Sequence, residues 1–207
     1  MKNKELEVRS FQCELRAIEE ENSRTIRGLA IPTESRSELL GGEFYETIRS
    51  SAVTEDLINN NDIKLYLNHD MAQGTYARSK FGEGSLRLSV TERGLEFETD
   101  IPNTAMGETL LEGIKRGDYD AISFAFAIDK DEWSKNEDGT YERSVISFRM
   151  IDEISILSMA PAYSATNVSI RSLEDYKEQE KLENERKMQV LNGLEEKLKE
   201  IEEISKL

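Results

Sequence analysis

Histidine occurs once in the 207 residues, and so does cysteine. A single cysteine excludes an internal disulfide, and one cysteine with one histidine falls short of the usual Cys/His zinc sites. No spaced calcium-loop pattern of carboxylates is present either, so neither metal nor cofactor is expected. Long apolar runs are also missing. Nothing approaches the roughly 20 residues that span a bilayer, and the N-terminal MKNKELEVRSFQCELRAIEE has no stretch suited to a signal peptide. A soluble chain in the cytoplasm, with no membrane partner, is expected. Positive charge is in deficit: 27 Lys and Arg stand against 42 Asp and Glu, a net charge of −15, which argues against nucleic acid as a partner. What remains, 37% apolar and 33% charged residues, suffices for one globular domain and an appendage.

Short alternating runs fill the first three-quarters of the chain. In SFQCELRA the apolar set Phe11, Cys13, Leu15 and Ala17 alternates with Gln12, Glu14 and Arg16, the pattern of a half-buried strand. TIRGLAIP and DIKLYLNHD read as further strands, a short helix fits SAVTEDLINN, and EGSLRLSVTERGLEFETDIP reads as a hairpin turning at TERG. Met106, Leu110, Leu111 and Ile114 recur at helical spacing, with Asn103 or Thr104 as the cap and Gly117 as the stop. AISFAFAI and SVISFRMIDEISILSMAP supply the remaining strands, the last closed by Pro161. The fold class expected is mainly β with peripheral helices, an antiparallel barrel or sandwich over residues 1–172.

From residue 173 the composition turns to Glu, Lys and Leu without proline, which predicts a helical tail over 173–207. Leu191, Leu194, Leu198 and Ile201 fall at 3-4-3 spacing and form a narrow seam. It suits either a partner helix, including a second copy of this chain, or folding back on the tail's own domain. Gly193 weakens the helix by roughly 1 kcal/mol relative to alanine.

Three features carry candidate chemistry. Ile63, Leu65 and Leu67 alternate with Lys64, Tyr66 and Asn68, so period two places His69 with the apolar set, pointing inward at a strand end. For a lone histidine, a hydrogen-bonded core residue is the commoner role. In YDAISFAFAID the large residues Ile122, Phe124, Phe126 and Ile128 share one face, and Ala121, Ser123, Ala125 and Ala127 the other. A hydroxyl among alanines leaves room for a peptide carbonyl to approach, although small residues equally fit a strand packed closely on a neighbour. In MIDEISIL, Asp152 and Glu153 interrupt an apolar strand, so one carboxylate is expected to point inward and to need a partner, either an imidazole or Arg149.

The order and context of these pieces resemble the prohead maturation proteases of tailed bacteriophages, themselves similar to the herpesvirus assemblins. The resemblance runs through RTIRGLAIP, GGEFYETIRSSA, LYLNHD, GLEFETDIPNTAMGETLLEGIKRGDYDAISFAF and EISILSMAPAYSATNVSIR, roughly residues 8 to 172. It implies an assemblin-like antiparallel β-barrel and a serine endopeptidase with Ser123 as nucleophile, His69 as general base and Glu153 as the acid orienting the imidazole. Asp152 or a backbone carbonyl is the alternative third member. Many members of the family have glycine near the serine strand where this chain has AISFAF, which leaves the oxyanion donors open. The resemblance further implies work in the host cytoplasm, inside the immature capsid, on the scaffold, the major capsid protein and the enzyme itself. Cys13 is the competing nucleophile, and its apolar face suits a small buried hydrophobe better. The competing class is a non-catalytic assembly module in which the tail is the active part.

Overall fold

Period-two alternation becomes two β-sheets that share one hydrophobic core. The computed structural model describes residues 6–13, 15–18, 23–158 and 167–204. The chain divides into two compact units, Met1–Val168 and Ser169–Leu207.

In the first unit, one sheet has the order β1 (Glu7–Gln12), β10 (Ala121–Lys135), β11 (Tyr141–Leu157), β5 (Asp62–Leu67), β6 (Ala77–Lys80), β7 (Glu83–Gly84). Strand β4 (Phe44–Ile48) also lies against β11. The other sheet has the order β2 (Arg16–Ala17), β3 (Thr25–Pro32), β9 (Gly94–Asp100), β8 (Arg87–Thr91). The expected antiparallel barrel is therefore corrected on two counts. The sheets are not closed, and β11 runs parallel to both β4 and β5. Closure requires the two edges of one sheet to pair, whereas here β1 and β7 end one sheet and β2 and β8 the other. The SFQCELRA strand is corrected too: it divides, β1 pairing with β10 in one sheet and β2 with β3 in the other.

The large residues of β10 do face the core. Ile122, Phe124 and Phe126 are buried against Leu65, Ile154 and Ile156 of the same sheet and Ile26, Ile31, Leu95 and Phe97 of the other. Stacked and edge-on rings connect Phe11, Phe124, Phe126 and Phe148. Truncating such a phenylalanine to alanine costs about 3–5 kcal/mol. Helix α1 (Glu55–Asn59) starts where the Thr54 hydroxyl accepts the Leu57 N–H at 3.1 Å. Helix α2 (Ala105–Arg116) is capped by Thr104 and stops at Gly117, whose φ of 78° is open to glycine at no steric cost. Its buried Leu110, Leu111 and Ile114 join the core.

Charge enters the core face at one end of β1. Glu7 and Arg9 lie opposite Phe126 and Phe124, on the apolar side of the sheet. Arg9 Nε donates to Glu46 Oε1 and Nη2 to Glu7 Oε2, both at 2.8 Å. Arg143 donates to both oxygens of Glu7, at 2.8 and 3.0 Å, and through Nε to Asp131 at 2.7 Å. Glu7, Arg9, Glu46 and Arg143 are all buried, so the desolvation of each charge is offset by bidentate partners. This network ties the edge strand β1 to β4 and β11, which sets where β1 lies beside Ser123.

The second unit takes in all but the first two residues of helix α3 (Asn167–Ile204), which is about 57 Å long at 1.5 Å per residue. Leu191, Leu194 and Leu198 of the seam are exposed. The side chain of Ile201, and residues Pro161, Ala162, Tyr163 and Ala165 of the resemblance, lie outside the described residues.

Candidate active site

Two departures from regular β-structure assemble the candidate site. The first is a bulge in β11. Ala125 pairs with Glu153 but Phe126 with Ile151, so Asp152 is the extra residue with no partner across the ladder. The bulge explains why Ile151 and Ile154 can both enter the core with two acids between them. It also puts Glu153 in register with Ser155 on the face away from the core, the face that carries Ser123. Glu153 and Ser123 are buried there.

The second is the turn after β5. The strand ends at Leu67, and Asn68 and His69 take φ values of 53° and 59°, both left-handed. The Asp70 N–H closes the turn on the Leu67 carbonyl at 3.0 Å, the I′ arrangement with positive φ at both central residues. Period two stops where the strand stops, so His69 does not follow Leu65 and Leu67 inward. The inward placement is corrected: the turn carries the ring across to the opposite face, where Nδ1 makes a short hydrogen bond with Glu153 Oε1. His69 keeps a third of its side chain exposed, at 33%. Further bonds fasten the turn to β11. The Asn68 N–H donates to the Ile156 carbonyl at 2.9 Å, and the Ser158 N–H donates to Asn68 Oδ1 at 3.0 Å.

Competing partners for the carboxylate are turned away. Lys64 lies across the ladder from Glu153, but its ammonium donates to the Asp62 carbonyl at 2.8 Å. Arg149 is exposed and forms no ion pair with Glu153. With Nδ1 engaged by a carboxylate, the imidazole has Nε2 left for a proton in transit.

Ser123 stands in a row of hydroxyls, directly opposite Ser10 on β1 and Ser155 on β11. Its own hydroxyl donates to the Arg9 carbonyl at 3.0 Å and accepts from Ser10 Oγ at 3.0 Å. The structure thus joins His69 to Glu153 directly and brings Ser123 to the same sheet face, with no hydrogen bond between His69 and Ser123. Sequence reasoning missed Ser10, and it noted Ser155 within the Glu-x-Ser block but gave it no role. Alternation in the EISIL run does place Ser155 beside Glu153, and that was the available signal. Cys13 packs against the core.

A family model described as the caudovirus prohead serine protease matches residues 11–181. The chain belongs to that family. Comparison with curated proteins and with solved structures produced no match. Membership makes it a prohead serine protease by family, of the kind that works in capsid maturation of tailed phages. No helix among the described residues is long and apolar enough to cross a membrane.

Proposed function

We propose that this prohead protease is a serine endopeptidase in which Ser123 is the nucleophile, His69 the general base and Glu153 the acid that orients the imidazole. One observation carries the reading: a buried carboxylate holds His69 Nδ1 on the sheet face that also bears Ser123. For attack, the Ser123 hydroxyl leaves the Arg9 carbonyl and donates to His69 Nε2 instead. His69 takes the hydroxyl proton as the oxygen attacks a peptide carbonyl, the leaving amine takes that proton, and water then releases the acyl-enzyme. Glu153 holds one tautomer and stabilises the imidazolium. Asp152, out of the ladder at the bulge, has no part in this geometry.

The substrates in this reading are the scaffold, the major capsid protein and the enzyme itself, met inside the immature capsid. The exposed Leu191, Leu194 and Leu198 give α3 an apolar seam for a helical scaffold segment or a second copy. Co-expression with the phage's capsid and scaffold proteins, followed by intact-mass analysis, tests the core of it. Truncations that vanish in Ser123→Ala are expected. Identical uncut masses in both, with shells assembling, would favour the non-catalytic assembly module. The observation on that side is the engagement of the Ser123 hydroxyl with β1.

A further inference from the structure

The His69 turn has a support that the triad does not include. Ser155 is fully buried, at 0% exposure, and its Oγ accepts the His69 backbone N–H at 3.3 Å. It faces Ser123 across β10·β11 and Tyr66 across β11·β5, so it sits between the nucleophile's strand and the strand that leads to the histidine. We propose that Ser155 is a positioning residue of this site, holding the left-handed turn through which His69 reaches Glu153.

The physical need is specific. A left-handed conformation is costly for a residue with a Cβ, so the turn persists only where its surroundings hold it. The Leu67–Asp70 bond closes the turn, and Asn68 is fixed through its own N–H and side chain. The peptide N–H of His69 itself is held, among the described residues, by Ser155. Removing that acceptor leaves the N–H unpaired and frees the His69 backbone to relax, which swings the ring off Glu153. A hydroxyl does this where alanine cannot, and threonine keeps the acceptor.

The inference rests on the reading of His69 as general base, and two readouts on the full chain separate the two. One is the rate of labelling by a fluorophosphonate, with the labelled residue located by peptide mass. The other is the low-field proton NMR signal of the imidazole N–H bonded to Glu153, which is free of overlap because the chain has one histidine. Ser155→Ala should label Ser123 about ten-fold more slowly, as expected for loss of one hydrogen bond to a strained turn. It should also lose the low-field signal while thermal stability changes little. Ser155→Thr should keep both within about three-fold. Ser155→Cys preserves the volume but is a weak acceptor, and it should follow the alanine variant, which covers the case of an alanine variant that does not fold. A Ser155→Ala protein with wild-type labelling at Ser123 and an intact signal would overturn the positioning role and leave the catalytic reading standing. A wild-type chain that resists the label would count against the catalytic reading, and loss of the signal in alanine with its retention in threonine would still support the positioning role. A label found on Ser155 would overturn both.

Discussion

Replacing Glu153 with glutamine removes one negative charge and keeps the shape of the side chain. In the structure its side chain is 12% exposed and bonded to His69 Nδ1, while the Lys64 ammonium donates to Asp62, and no other cation pairs with Glu153 among the described residues. A hydrogen bond to a charged group contributes about 1.5–3 kcal/mol, and losing it as the imidazolium forms slows the chemical step by about 10- to 150-fold. The amide adds a second effect, because its NH2 can donate to Nδ1 and hold the wrong tautomer, a defect that costs about 10⁴ in another serine protease triad. The kcat of Glu153→Gln is therefore expected to fall by about 10² to 10⁴ with KM little changed, since the interaction matters only once charge develops. Cleavage of purified capsid or scaffold protein, followed over time by intact mass, reads this directly. Asp152→Asn is the control, expected to stay within about three-fold of wild type because the bulge places Asp152 outside the ladder. A Glu153→Gln enzyme within three-fold of wild type, or an Asp152→Asn enzyme equally impaired, would refute the assignment of the acid.

The left-handed turn makes a second prediction: Asn68→Gly should retain most activity, whereas Asn68→Val, β-branched at a φ of 53°, should lose about ten-fold or more in kcat. Equal activities in the two would show that the turn does not set the position of His69. For Glu46, burial pushes the carboxyl up, but the guanidiniums of Arg9 and Arg143 outweigh it and hold it below the usual carboxylate range. A depressed folded value means stabilisation that is complete above the unfolded value, about 4.3, and is lost as pH falls through the lower folded one. The Tm gap between wild type and Glu46→Gln should thus be constant from pH 7 to 5 and narrow below about pH 4. Narrowing already between pH 7 and 5 would contradict a carboxylate held by the two arginines.

Local signals in the sequence were readable where one element decides them. TIRGLAIP is β3 to the residue, and the helix read from Met106 to Ile114 runs between the Thr104 cap and the Gly117 stop. The faces of β10 follow from alternation alone. Pairing was not readable, because the parallel contacts of β11 with β4 and β5 join segments far apart in the chain, and an open sheet alternates as a barrel does. Glu7 and Arg9 on the apolar face of β1 break the binary pattern, and their partners Glu46 and Arg143 come from other strands. The face of His69 was missed for a sharper reason. Period two holds only while the backbone stays extended, and two left-handed residues at 68 and 69 end it.

That turn is itself an argument about use. A sharp reversal needing positive φ at two residues is met at no steric cost by glycine and at little cost by asparagine, which this chain places first. At the second position stands the chain's one histidine, in a conformation that costs about 1–2 kcal/mol for a residue with a Cβ. If the ring were only core filling, the extended strand could have carried it inward with no such cost. Instead the strain sets the imidazole against a carboxylate that a separate irregularity, the β11 bulge, turns to the same face. Two independent departures from regular structure that meet at one His–Glu pair are difficult to explain by packing. They are what an acyl-transfer site needs, since its base must be held by a geometry that the substrate does not have to organise.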